Sequence, residues 1–167
     1  MNTKKILIAI FILIVGFILF QTINKTNNQS NNPLPQQYLD DRTKFGQVNQ
    51  LFTEAMDLTK PPDNSGKPFD MPKDQEAQIL SKLETGVNLS KEIDDNFLDY
   101  LNPELKNHYR NEYVKGNGLC LEGLKGDTSN ENSIGVKKQL ECNQLIGEWI
   151  KWWDSHKDSI TNKAFSE

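Results

Sequence analysis

The sequence predicts an all-α protein, built as an N-terminal transmembrane anchor followed by a bundle of four to five helices with one disulfide. Three observations predict it. Fifteen apolar residues run unbroken from Ile6 to Phe20. Beyond them, apolar residues recur at three- and four-residue steps, and no stretch alternates with period two. The two cysteines, Cys120 and Cys142, both lie after the apolar run. The organisation read from this is an anchor over 1–24, a linker over 25–37 and a helical domain over 38–167.

The apolar run spans about 22 Å as a helix, and including Gln21 to Ile23 brings it to roughly 27 Å, short for a full crossing. A removed signal peptide would end in small residues, and "LFQTINKTNN" offers no such cleavage site. An uncleaved anchor is therefore the expectation. Lys4 and Lys5 precede the run, and only Lys25 closely follows it. This asymmetry places the N-terminus in the cytoplasm and the domain outside it, as a single-pass cytoplasmic-membrane protein.

Removing Lys4 and Lys5 from the 19 basic residues leaves 17 against 23 acidic ones, so the exported part is net negative. Arg42 and Arg110 are its two arginines. Acidic and arginine-poor is the wrong balance for gripping phosphate backbones, which argues against nucleic acid as a partner. Outside the cytoplasm a cysteine pair more often forms a disulfide than a metal or redox site, so Cys120 and Cys142 are expected to be joined.

The segment 21–37 is asparagine-rich, interrupted by Pro33 and Pro35, and lacks apolar periodicity, which reads as a flexible linker. The first helix is predicted from about Arg42 to Thr59, where Phe45, Val48, Leu51, Phe52, Ala55 and Met56 form a stripe. Pro61 and Pro62 end it. Pro72 suits the first turn of a second helix, with Asp70 as a possible cap and Ile79, Leu80, Leu83 and Val87 as its stripe.

Gly86 and "VNLS" predict a break, with Asn88 or Ser90 capping a third helix that carries Leu89, Ile93, Phe97, Tyr100 and Leu101. "NPEL", residues 102 to 105, sets asparagine at a cap position and proline at the first helical position, opening a fourth helix. Leu105, Tyr109 and Tyr113 line it, and Gly116 and Gly118 are read as its end, with one further turn over 119–125. The last helix is predicted from about Ser133 to Ile160.

That last helix holds all three tryptophans, within "EWIKWWDSHK". Counting roughly 100° per residue from Cys142, Leu145, Ile146, Trp149, Ile150, Trp152, Trp153 and Ile160 fall within an arc of about 160°. Leu140 lies off it. An arc this wide exceeds the stripe needed to sit on a core. One reading packs all three indoles inward; the other sets Trp149 and Trp153 toward the core and Trp152 at the edge beside His156, making Trp149, Trp152 and Trp153 the candidate partner-binding residues. Arg110, between Tyr109 and Tyr113, is a fourth candidate. It also suits a structural lock on the acidic third helix through Asp95 or Asp99.

Catalytic patterns are missing. His108 and His156 have no motif partners, and no Gly-x-Ser-x-Gly elbow is present. Cys120, Cys142, His108 and His156 match no zinc spacing, so neither metal nor cofactor is expected. "GLCLEGLK" has Leu124 where a phosphate-binding loop needs lysine, and "DTSNEN" lacks the glycine of a calcium loop. Glu112, Glu122, Glu141 and Glu148 are candidates for a carboxylate pair by residue type alone.

The expectation is a membrane-anchored, extracytoplasmic protein-binding module without catalysis. Its partner would be another envelope protein, as for an assembly accessory, or an exported toxin, as for an immunity-type inhibitor. The alternative is a cell-wall hydrolase working through paired carboxylates. A purely structural envelope protein is a third reading.

Overall fold

A computed structural model describes residues 34–60 and 71–165. Within them the fold is all-helical, with no strand and five helices. The segment read as a transmembrane anchor, residues 1–24, lies outside the described residues. Among the described residues no helix is long and apolar enough to cross a membrane.

The folded part reaches back into the segment read as linker. Leu34 is buried in the core, and Gln36–Tyr38 forms a single 3-10 turn. Helix α1 follows as Leu39–Asp57 and α2 as Lys73–Ser90. Pro72 stands at the N-cap of α2, where its missing N–H costs nothing. The proposed cap Asp70 falls outside the described residues.

Helix α2 does not break at Gly86. A Cβ there would collide with the Phe52 ring of α1, so the glycine is a close-approach point within a continuous helix. Leu89 and Ser90 accordingly finish α2 rather than starting the next helix. The chain turns after Ser90, and Asp94 caps α3, Asp95–Leu101, by accepting from the Asn96 N–H at 2.8 Å.

Asn102 accepts the Glu104 N–H at 2.8 Å and opens α4. This helix runs without interruption through Leu105–His108, then Tyr109–Val114 with π geometry, then Lys115–Lys125. Gly116 does not end it. A Cβ there would lie 2.8 Å from Ile146 Cδ1, and at Gly123 2.5 Å from Gln139 Cγ. Both glycines let α4 press against α5, Ile134–Phe165. The sulfurs of Cys120 and Cys142 sit 1.99 Å apart, at disulfide distance, on the same seam.

The result is two antiparallel helix pairs, α1 with α2 and α4 with α5, joined where α2 packs on the Lys115–Lys125 stretch. The short α3 crosses beneath the end of α5, where Lys163 Nζ lies 4.2 Å from the centre of the Tyr100 ring. Phe45, Phe52, Phe97, Tyr109, Tyr113 and Trp149 meet at the centre as an aromatic core.

Candidate partner-binding surface

The stripe on α5 sorts its tryptophans by depth. Trp149 is 2% exposed and stacks on Tyr113 at 4.6 Å and on Trp153 at 5.1 Å between ring centroids. Trp153 is 7% exposed. Both indoles belong to the core. Trp152, at the edge of the arc, is half-buried. Leu140, off the stripe, is exposed.

Trp152 does not present a bare face. His108 of α4 stacks on one side, with centroids 4.4 Å apart and planes 18° from parallel. His156, one turn along α5, stacks again at 4.5 Å and 14°. Trp149 meets the same indole at 5.6 Å. The indole is therefore clamped, and what it offers to solvent is an edge.

The hydrogen bonds fix both imidazoles. His108 Nδ1 lies 2.8 Å from Glu112 Oε1, and His156 Nδ1 lies 2.8 Å from the Trp152 carbonyl oxygen. Both oxygens only accept, so each Nδ1 carries the hydrogen. In the neutral ring Nε2 then carries the lone pair. The Trp152 indole N–H points at Glu104 Oε2, 3.4 Å away. The π segment that follows His108 carries Glu112 and the two tyrosines. Such segments recur at functional sites.

Four buried polar atoms lack a hydrogen-bond partner among the described residues: Glu112 Oε2, the hydroxyls of Tyr109 and Tyr113, and Asn143 Oδ1. Burial pushes the Tyr113 phenol well above the usual range. Burial, reinforced by the neighbouring Tyr113 and opposed by Arg110, does the same to Tyr109.

Arg110 faces the other way. Its Nε and Nη2 donate to Asp95 Oδ1 at 3.0 and 2.9 Å, while Nη1 donates to the Ser90 carbonyl and Nη2 to that of Ile93. It closes the α2–α3 turn, apart from the tryptophan edge. Asp99 serves Lys106 instead, at 2.8 Å.

The acids grouped by residue type do not converge. Glu122 pairs with Lys138, Glu141 faces Lys115 at 3.7 Å, and Glu148 accepts from Gln144 at 3.0 Å. A polar cleft of about 260 Å³ lies elsewhere, lined by Gln37, Tyr38, Asp41, Asp94 and Asn96. Asp41 accepts the Asp94 N–H at 3.0 Å and Asp94 caps α3, so both carboxylates hold backbone. Among the described residues no three His, Cys, Asp or Glu side chains are grouped to hold a metal ion.

Sequence reasoning placed Trp152 beside His156 but gave His108 no role. The i,i+4 pair His108 and Glu112 was a signal within the chain, whereas the contact across α4 and α5 was not. No family model, curated protein or solved structure matches the sequence.

Proposed function

We propose that this chain is a membrane-anchored, extracytoplasmic protein-binding module that holds its partner at the Trp152 edge. An envelope-assembly accessory and an immunity-type inhibitor of an exported toxin are the two roles that suit it. The clamped indole is the observation that carries the reading. A tryptophan held between two imidazoles loses little rotational freedom when a partner arrives, and rigid, half-exposed aromatics are favoured anchors. The apolar run from Ile6 to Phe20, with Lys4 and Lys5 before it, supports the anchor and its orientation.

A photo-reactive residue at Ser155, one turn from Trp152, tests the reading against a remote control at Glu131, both exposed. A protein adduct formed in native cells from position 155 and absent from position 131 supports it. Adducts of equal yield from both positions, or from neither, would remove Trp152 from the binding surface.

A further inference from the structure

Resting on that reading, we infer that the Trp152 edge takes a basic segment of its protein partner, through a lysine or arginine side chain. His108 and His156 both stack on the indole, so imidazoles already take ring area that a cation would need. Recognition falls to the edge, where the indole N–H donates and the Glu104 carboxylate beside it accepts.

Glu104 Oε2 stands 3.4 Å from the indole nitrogen, and Glu148 lies exposed one helical turn before Trp152. Each imidazole donates through Nδ1 to an oxygen of the chain, Glu112 Oε1 for His108 and the Trp152 carbonyl for His156. Two carboxylates, Glu104 and Glu148, are thus the acceptors the indole has about it. A guanidinium fork or an ammonium supplies the complementary donors, and charge-assisted bonds of this kind are the stronger ones.

The local cations are engaged elsewhere or project away. Lys106, two residues after Glu104, is held by Asp99 at 2.8 Å, and Lys163 sits over the Tyr100 ring. Lys115 faces Glu141. Lys151 adjoins Trp152 in sequence but projects roughly 100° around the helix from it. Glu104 therefore has no cation across from it among the described ion pairs. The aromatic clamp supplies the apolar shoulder along which an arginine or lysine stem can lie.

The test is a titration of the full-length protein in detergent micelles with a tetra-arginine peptide, read by tryptophan emission, with tetra-glutamate as the matched control. Saturable binding of tetra-arginine alone is expected, weakened at least fivefold in a Glu104→Gln, Glu148→Gln double variant. A remote pair, Asp74→Asn with Glu131→Gln, removes the same charge and is expected to leave binding unchanged. Equal affinity in both double variants, or no tetra-arginine binding, overturns the inference. A cellular partner lost on Trp152→Ala without tetra-arginine binding would leave the module standing and sink the basic segment. Site-specific tetra-arginine binding with no Trp152-dependent cellular partner would sink the module instead.

Discussion

His108 and Trp152, 44 residues apart in sequence, stack at 4.4 Å across the seam between α4 and α5. The contact couples the candidate surface to the packing of the second helix pair. The indole that a partner would meet is held by the same two helices that the cysteine pair joins.

Depth predicts opposite consequences for neighbouring tryptophans. Trp149→Ala opens the aromatic core and is expected to cost about 3–5 kcal/mol. Trp152→Ala removes a half-buried side chain and is expected to cost about 1–2 kcal/mol. Urea unfolding of both variants, followed by circular dichroism, checks the difference. Similar costs would mean that Trp152 is as structural as Trp149.

Arg110 predicts a specific loss at the α2–α3 turn. Arg110→Ala leaves the Ser90 and Ile93 carbonyls and Asp95 without their donor, and a cost of about 2–3 kcal/mol is expected. Arg110→Lys recovers only part of it, since an ammonium lacks the fork that reaches three groups. Denaturant midpoints of the two variants decide it. Full recovery by lysine would reduce the lock to simple charge.

The cysteine pair closes a separation of 22 residues. By the chain-entropy argument, the Cys120→Ala, Cys142→Ala double variant is expected to lose about 3 kcal/mol yet still fold, because the aromatic core remains. A thermal scan of that variant against wild type, each with and without reductant, measures the loss. Wild type that ignores reductant under unfolding conditions would show that no bond constrains the unfolded chain.

Tyr109 and Tyr113 predict the alkaline behaviour. Burial raises both phenols in the folded state, so their contribution is fully present below the unfolded value of about 10. Above it the unfolded chain releases protons that the folded one keeps, and stability falls by about 1.4 kcal/mol per pH unit for each tyrosine. Denaturant unfolding between pH 9 and 11 should show this fall, and the Tyr109→Phe, Tyr113→Phe variant should flatten it. Because neither hydroxyl has a hydrogen-bond partner among the described residues, that variant is expected to match wild type at pH 7 within about 1 kcal/mol. An unchanged alkaline slope would place the ionising groups elsewhere.

Much of this fold was legible locally. The stripe of Phe45, Val48 and Phe52, the cap at Asn102 and the arc from Cys142 to Ile160 are periodic or short-range features, and they located α1, α4 and α5. The glycines misled because the same residue serves two purposes. Gly86 and Gly116 read as stops along the chain, yet each stands where a neighbouring helix presses in, and only the partner helix reveals that. At the candidate surface, Trp152 and His156 were visible as an i,i+4 pair on one helix. His108 completes the clamp from a different helix, and no single-helix pattern could predict that contact.

The most direct measurement is capture of the tagged full-length protein after cross-linking in its native cells, beside a Trp152→Ala twin shown to be folded. The account predicts one stoichiometric partner with the wild type and its loss from the twin. Recovery of the same proteins with both, or of none with either, would contradict it.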